Sequence, residues 1–398
     1  MNRPTAAVVV VAAMCLGLPG ARSFADTSQA TLESKLQTIA DSYIADTAPG
    51  ERATAISISV SLPGDAGTVN VASGKVSNAP DAADVTPETL FQIGSITKSF
   101  TAVTLLQLQS KGVLDLDDTL GTWLPEYPAW KHVTLRQLLN MTSGIPSYDD
   151  IDAMLDSIAK VGLSRHFSPE VLVGFADPSY PSAPAPTTGY SYSNTNYMLA
   201  GMVIERATGK RVRENFEERF FGPRSGLTST YYRDEIYPPE ITDRMASGYF
   251  IADGYAPLWA YDGADVMLED MSWAGPAGAI VSRPEQVNRW VRALFGSGDL
   301  LDPAARDELT QMVSMKTGKP IDGVTTDDPR GFGLGVSGFA SKLGTGWQYE
   351  GETNGYRVLY VYLMDKDLIV TIALNSGAEG DADHAGELAL AVIKAVEG

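Results

Sequence analysis

The sequence predicts an α/β protein of the α+β type, in which an antiparallel sheet flanked by helices is interrupted by an inserted helical domain. Residues 55–62 read AISISVSL, with an apolar residue at every second position, which is the period of a half-buried strand. Near the other end, residues 356–363 and 368–374 are apolar runs joined by Asp365-Lys366-Asp367. Helical spacing dominates between these regions, so one sheet is expected to form from both ends of the chain.

The remaining elements follow from the same periodicities. The first strand turns at Pro63-Gly64-Asp65 and pairs with residues 68–72. Apolar spacing close to 3.6 residues predicts helices at residues 95–111, 135–139, 152–160, 197–207, 283–295 and 388–396. Further strands are predicted at residues 331–336 and 347–353, ahead of the last hairpin.

The first 25 residues are predicted to be a secretory signal peptide. A short basic start precedes the apolar run 6–18, and small residues offer a cleavage position after Ala25, which is the order found in such leaders. The run is shorter than the roughly 20 residues that cross a bilayer, so no stable membrane anchor is expected. The protein is therefore expected to be exported, either to the periplasm or as a secreted protein. The one cysteine, Cys15, lies in the leader, so thiol chemistry is excluded from the mature chain.

About 370 mature residues are too many for one simple core. We expect a sheet domain formed by residues 26–112 and 275–398, and a helical insertion domain formed by residues 113–274. The net charge of −19 argues against nucleic acid and anionic membrane surfaces as partners. The three histidines do not form an HExxH pair, so a zinc hydrolase is not supported, and no metal or organic cofactor is expected.

The stretch FQIGSITKSF places Ser95 three residues before Lys98. Serine is a favoured helix N-cap, which is the structural explanation for Ser95. The functional explanation is a nucleophile, because positions i and i+3 share one helix face and Lys98 can reach the serine hydroxyl. The same spacing recurs at Ser157-Ile158-Ala159-Lys160, where we expect a solvated helix face. No GxSxG motif occurs, which excludes the α/β-hydrolase type of nucleophilic serine.

A second candidate element is Tyr192-Ser193-Asn194, the one Tyr-x-Asn sequence among 17 tyrosines. A buried tyrosine with a satisfied hydroxyl is the commoner role for this residue type. Here the motif follows a long Pro/Ala-rich loop and precedes a helix, a place where functional residues often lie.

Four stretches together resemble one family. They are FQIGSITKSF (91–100), TLRQLLNMTSGI (134–145), YSYSNTNYMLAGMVIERATGK (190–210) and GPAGAIVSRPEQVNRWVRAL (275–294). In this order they resemble the class C β-lactamase and DD-peptidase family of serine hydrolases, which also contains carboxylesterases and D-aminopeptidases. The resemblance extends over residues 56–374 and implies a β-lactamase/transpeptidase-like fold.

The resemblance also implies roles for individual residues. Ser95 would be acylated, Lys98 would share its proton, and Tyr192 would act as general base toward Ser95 and as acid toward the leaving group. Asn194 would hydrogen-bond the amide or carbonyl of the substrate. A lysine ammonium close to a phenol favours phenolate, so we expect the pKa of Tyr192 to lie below its ordinary value of about 10.

The family's third element is a Lys-Thr-Gly or His-x-Gly triplet on a strand that faces the serine. Lys316-Thr317-Gly318 spells the triplet, but Pro320 follows closely, and proline cannot lie in a central strand. We therefore assign the element to Tyr349-Glu350-Gly351. Gly351 would leave room for substrate, and the backbone N–H of Glu352 would donate to an oxyanion beside that of Ser95.

Tyr349 stands where the family usually has a cationic residue, which weakens recognition of a substrate carboxylate unless an arginine such as Arg357 compensates. The leading hypothesis is a D-alanyl-D-alanine carboxypeptidase-like peptidase that works through an acyl-enzyme. A carboxylesterase is the alternative, and an efficient β-lactamase or a non-catalytic cell-wall sensor is less favoured. The partner would be a small-molecule or peptide substrate, namely a D-amino-acid peptide, a β-lactam or an ester.

Overall fold

The structure is a computed structural model that describes residues 20–64, 66–180, 185–251, 256–296, 298–378 and 383–398. Most of the predicted leader, including Cys15, and the turn residue Asp65 lie outside the described residues. The predicted cleavage position after Ala25 falls within the first helix, Gly20–Ser42. Within the described residues, no helix combines the length and the apolar character needed to cross a membrane.

The main sheet contains nine antiparallel strands among the described residues, in the spatial order β2-β1-β12-β11-β10-β9-β8-β6-β7. A small sheet has the order β3-β5-β4. The strands are β1 (Ala55–Ser61), β2 (Thr68–Gly74), β3 (Phe91–Gln92), β4 (Tyr231–Tyr232), β5 (Ile280–Ser282), β6 (Met312–Ser314), β7 (Pro320–Ile321), β8 (Arg330–Phe332), β9 (Ser337–Ser341), β10 (Gly344–Thr353), β11 (Tyr356–Leu363) and β12 (Leu368–Leu374). The first strand therefore pairs with the last, with Ile56 opposite Leu374, and the sheet is built from both ends of the chain as expected.

Helices cover both faces of this sheet, and most of them lie between β2 and β6 in the sequence. They are α1 (Gly20–Ser42), α2 (Ala48–Glu51), α3 (Thr97–Ser110), α4 (Leu120–Trp123), α5 (Leu135–Leu139), α6 (Asp152–Val161), α7 (Pro169–Ala176), α8 (Asn194–Thr208), α9 (Val212–Phe220), α10 (Pro239–Thr242), α11 (Gly275–Gly278), α12 (Pro284–Phe295), α13 (Pro303–Thr310) and α14 (Ala385–Glu397). The mixed helix and antiparallel-sheet class confirms the predicted fold class.

Two apolar cores lie on opposite faces of the sheet. One joins the sheet to α1 and α14 through side chains such as Leu36, Ile58 and Val392. The larger core joins the other face to the helices that carry the candidate site. Burial of apolar side chains on both faces stabilises the sheet as the middle layer of three.

The strand β1 differs from the half-buried strand that its alternation predicts. Its serine side is also buried, because α12 packs over it. Asn288 on α12 donates to the Ser59 hydroxyl over 2.9 Å and accepts from the Thr371 hydroxyl over 2.6 Å. Hydrogen bonds of this kind offset the cost of burying polar side chains.

The predicted strand at residues 331–336 is also shorter than expected. It ends at Phe332, and β9 begins only at Ser337. Gly335 lies between them with a φ of +72°, and a Cβ there would lie 2.8 Å from the Lys98 carbonyl oxygen. Glycine therefore allows this turn to pack directly against the start of α3.

Candidate active site

Ser95 and Lys98 lie at the start of α3. A 3₁₀ turn, Gly94–Ile96, leads into the helix, and neither segment has a side-chain N-cap hydrogen bond. Instead, the Ser95 hydroxyl faces the Lys98 amine, which donates to Ser95 Oγ over 2.8 Å and to the Ala277 carbonyl over 3.0 Å. The geometry favours the nucleophile over the cap, because Ser95 Oγ contacts a fully buried amine.

Tyr192 lies on the other side of Ser95. Its hydroxyl is 2.7 Å from Ser95 Oγ and is the donor. The hydroxyl of Tyr349 on β10 donates to Tyr192 Oη over 3.2 Å, and Lys98 Nζ lies 4.9 Å from the centre of the Tyr192 ring. The structure thus brings together Ser95, Lys98, Tyr192 and Tyr349, from three separate parts of the sequence.

Burial determines the charge state of the Lys98 amine. It lowers the pKa of Lys98 from 10.5 to about 7, with the nearby Asp149 carboxylate acting in the opposite direction. A substantial fraction of Lys98 is therefore a neutral amine at pH 7, able to accept a proton from Ser95.

The expectation for Tyr192 was wrong in direction. Burial raises its pKa above the ordinary value, although its hydrogen bonds with Ser95 and Tyr349 oppose the rise. The residue is 37% exposed, so water moderates the effect without reversing it. The reason is that burial favours the neutral phenol over the charged phenolate, and the partly neutral Lys98 does not offset this. Tyr192 rests as a phenol that donates to Ser95.

Asn194 begins α8 and is positioned by the turn that precedes α6. Its side-chain amide donates to Asp149 Oδ2 over 2.5 Å, and its backbone N–H donates to the Ser147 hydroxyl over 2.8 Å. Ser147 in turn donates to Asp149. The side-chain oxygen of Asn194, Oδ1, is buried without a hydrogen-bond partner in the described structure. A buried acceptor of this kind can bind a substrate N–H.

The strand β10 packs directly against the turn that carries Ser95. A Cβ on Gly351 would overlap the Ile93 carbonyl and lie 2.9 Å from the Ser95 nitrogen. Gly351 is therefore required by backbone packing, not by room for a substrate as we expected. The same packing brings the backbone nitrogen of Glu352 to 2.5 Å from the Cβ position of Gly94. The oxyanion role of the Ser95 and Glu352 N–H groups remains a prediction.

The two rejected motifs lie where the sequence reasoning expected. Ser157 is on α6, where its hydroxyl accepts from Arg165 over 3.1 Å. Lys316-Thr317-Gly318 forms the loop between β6 and β7 and packs against Gly189. Pro320 begins β7, which is the edge strand of the sheet, in agreement with the rule against proline in a central strand.

A cleft of about 320 Å³ opens beside Ser95, Tyr192, Asn194 and Tyr349. Carboxylates line its polar end, and within the described part of the chain no lysine, arginine or histidine does so. The carboxylates are those of Asp149, Asp150, Glu350 and Glu352. Burial, reinforced by the neighbouring carboxylates of Asp383 and Glu352, raises the pKa of Glu350 to about 8. The cleft is therefore an unfavourable environment for a substrate anion.

Arg357 does not supply the missing cation, contrary to the possibility raised by the sequence. The residue is 1% exposed, and its guanidinium binds Glu51, Asp383 and the Ser376 carbonyl. Glu51 is also hydrogen-bonded to the Tyr43 hydroxyl over 2.6 Å. Arg357 is fully engaged in this buried ionic cluster, which ties α2 to the sheet.

Comparison with known proteins agrees with this geometry. The family model described as Beta-lactamase matches residues 45–393. The chain belongs to the beta-lactamase family. It is therefore a member of a fold family of serine hydrolases, and the resemblance inferred from the sequence is confirmed.

Relatives of this beta-lactamase-family protein include peptidases and penicillin-binding proteins. Penicillin-binding protein 4* of Bacillus subtilis (strain 168) is 27% identical over 77% of this chain and 64% of its own length. A D-aminopeptidase of Cereibacter sphaeroides is 25% identical over 76% of this chain and 54% of its own length. The chain thus spans less than two thirds of these curated relatives.

Solved structures of the same fold include a D-stereospecific amidohydrolase and a D-amino acid amidase. A D-stereospecific amidohydrolase from Streptomyces sp. has a TM-score of 0.71 at 27% identity and covers 92% of this chain and 98% of its own. D-amino acid amidase from Ochrobactrum anthropi SV3, solved with L-phenylalanine amide, has a TM-score of 0.74 at 25% identity and covers 92% and 98%. The β-lactamase/transpeptidase-like fold is therefore shown.

Sequence reasoning on this beta-lactamase-family chain missed Asp149 and underestimated Glu350. Asp149 comes four residues after the end of the TLRQLLNMTSGI stretch, as part of an acidic pair with Asp150, and this position was the available signal. The sequence placed Glu350 only as the middle residue of the Tyr349-Glu350-Gly351 element. Its proximity to the Asp383 carboxylate gave no local signal, because the two residues are 33 positions apart.

Proposed function

We propose that the protein is an exported serine hydrolase that forms an acyl-enzyme on Ser95 and acts on amides, peptides or esters of amino acids whose amino group is free. One observation carries the proposal: a serine bonded to both a buried amine and a phenol opens into a cleft lined by carboxylates. The leader predicted from the sequence supports export.

The reaction steps follow from the resting geometry. Neutral Lys98 accepts the proton of Ser95 as Oγ attacks the substrate carbonyl carbon, giving a tetrahedral oxyanion. The C–N or C–O bond then breaks, and the leaving amine or alcohol takes a proton through Tyr192 or Lys98. Water attacks the acyl-enzyme, transfers its proton to the same groups and releases the acid together with free Ser95.

The charge of the cleft distinguishes the substrate classes. A carboxypeptidase of the D-alanyl-D-alanine type must hold a terminal carboxylate, which the acidic cleft disfavours. A free α-ammonium is attracted by the same carboxylates. Residues 252–255 and 379–382, outside the described structure, also contain no lysine, arginine or histidine. The similarity to a D-aminopeptidase and to a D-amino acid amidase supports this choice.

A carboxylesterase is the second candidate. It is favoured by one observation, that the Tyr349 hydroxyl lies where the family's cationic residue is usual and is bonded to Tyr192. A neutral acyl group would need no cation at that position.

Amino-acid amides test the proposal. D-Phenylalanine amide and its N-acetyl derivative are compared by kcat/KM, and the acyl-enzyme is sought by intact mass after a short exposure to a penicillin. Loss of one charge-assisted hydrogen bond, roughly 1.5–3 kcal/mol, predicts about a 10- to 100-fold preference for the free amine. Equal rates, or a preference for the acetylated amide, would overturn the ammonium assignment and leave the esterase.

Variants of Ser95 and of the two rejected motifs complete this test. Ser95→Ala is expected to abolish turnover and any covalent adduct while the melting temperature stays close to that of the wild type. Ser157→Ala and Lys316→Ala serve as matched controls and are expected to retain full activity. Activity that persists in Ser95→Ala would remove the basis of the whole assignment.

A further inference from the structure

The cleft beside Ser95 has an apolar end that the proposed chemistry does not use. It is formed by Leu155 and Ile158 on α6, by Phe250, by Leu258 on the 3₁₀ turn Ala256–Tyr261 and by Trp273. Leu155 and Trp273 are only half-buried, whereas Ile158, Phe250 and Leu258 are buried. Apolar surface that a folded protein leaves open inside a cleft favours an apolar ligand group.

Helical periodicity explains why α6 presents this wall. Leu155 and Ile158 are three residues apart and lie on one face of the helix, facing the cleft. The opposite side of the helix, which carries Asp156 and Lys160, is exposed. The helix is held along its length by the 3₁₀ turn that carries Leu258, so the wall is part of a packed unit.

The carboxylates and the apolar wall are adjacent in the chain as well as in the cleft. Asp149 and Asp150 end the turn that leads into α6, and Leu155 follows within two turns of backbone. In an α-amino acid, the ammonium and the side chain are attached to the same carbon atom. A substrate whose ammonium is held at Asp149 or Asp150 can therefore place its side chain along α6 while its carbonyl carbon faces Ser95.

We propose that α6 and the turn carrying Leu258 form a side-chain subsite that selects amino-acid substrates with a bulky aliphatic or aromatic group on the residue acylated by Ser95. This inference rests on the proposed function and specifies its substrate class. The cleft volume of about 320 Å³ lies at the lower end of the range for ligand pockets, about 300–1,000 Å³, which suits a single amino-acid residue better than a long peptide.

The first experiment compares kcat/KM for the amides of glycine, D-alanine, D-leucine and D-phenylalanine. Burial of a phenylalanine-sized side chain predicts about a 10- to 100-fold advantage over glycine amide, with leucine close to phenylalanine. Equal values across the series, or a fall with side-chain size, would overturn the subsite.

Variants on α6 locate the effect. Leu155→Asp is expected to reduce the ratio of D-phenylalanine amide to glycine amide at least tenfold. The matched control Lys160→Asp, on the exposed opposite side of the same helix, is expected to leave the ratio unchanged. If Leu155→Asp does not fold, as judged by its melting curve, Leu155→Ala is used, with a smaller reduction of the same ratio expected. An unchanged ratio in a folded Leu155 variant would refute the inference.

Simple amines give a readout that does not depend on amide turnover. Ethylamine and 2-phenylethylamine are compared as competitive inhibitors of nitrophenyl acetate hydrolysis. We expect the aromatic amine to bind at least tenfold more tightly, and equal inhibition would contradict the subsite. Absence of any Ser95-dependent nitrophenyl acetate hydrolysis would instead refute the proposed function, so the two failures are distinguishable.

Discussion

The pH dependence of acylation tests whether Lys98 is the base. Burial moves the pKa of its amine from 10.5 to about 7, which corresponds to roughly 5 kcal/mol in favour of the neutral form. With that pKa, about one tenth of Lys98 is neutral at pH 6 and about nine tenths at pH 8. Because only the neutral amine can accept the Ser95 proton, kcat/KM is expected to rise about tenfold over this interval.

The assay uses nitrophenyl acetate, which carries no ionisable group of its own, so that the profile reports the free enzyme. Asp149 raises the pKa of Lys98, and Asp149→Asn is therefore expected to move the midpoint below pH 7 even though it also lowers the rate by releasing Asn194. Asp150→Asn, a neutralisation at the neighbouring position, is expected to leave the midpoint in place. A profile that is flat from pH 5.5 to 9, or a midpoint near 10, would refute the role of Lys98.

Three further substitutions test the electrostatics of the fold and the cleft. Lys98→Met is expected to abolish turnover and raise the melting temperature. The gain in melting temperature should be larger at pH 7 than at pH 9.5. Between about pH 7 and pH 10.5, Lys98 is protonated in the unfolded wild-type chain but neutral in the folded protein, so the stability of the wild type rises with pH over this range. A gain that is the same at both pH values would contradict the lowered pKa. Tyr349→Lys is expected to improve the rate on carboxylate-bearing substrates relative to neutral ones, and unchanged relative rates would argue against the triplet assignment. Glu51→Ala removes the fully buried carboxylate that pairs with Arg357 and leaves only Asp383 to compensate its charge. We expect a loss of stability in denaturant unfolding of up to about 3–5 kcal/mol, whereas the exposed Glu33→Ala should have little effect.

Local sequence patterns predicted the sheet well wherever a pattern has one interpretation. The bounds of β11 and β12 agree with the prediction to the residue, because two apolar runs flank a polar turn. The glycine-rich stretch after Arg330 was more ambiguous. The strand ends there at Phe332, and the following turn packs against Lys98, about 235 positions away in the sequence. A pattern of neighbouring residues cannot predict such a contact.

The contacts of the candidate site also divide into local ones, which the sequence predicts, and long-range ones, which it does not. The contact between Ser95 and Lys98 is local and follows from helix geometry. The contact of Ser95 with Tyr192 spans 97 positions and required the family resemblance. Arg357 was considered for substrate binding because its partner Glu51 lies 306 positions away. The direction of the Tyr192 pKa shift was predicted wrongly because only the attraction between Lys98 and a phenolate was considered. Burial of both side chains, which favours their neutral forms, was left out.

The place of β1 within the sheet determines when the enzyme can become active during synthesis. β1 lies between β2, its neighbour in sequence, and β12, which begins only at Leu368. Pairings between such distant segments form slowly and late. The strand β10 must also pack against the turn before Ser95. A nascent chain whose last strands have not yet been synthesised therefore contains Ser95 and Lys98 but lacks the strand that completes the site. Chains released early from the ribosome are therefore inert.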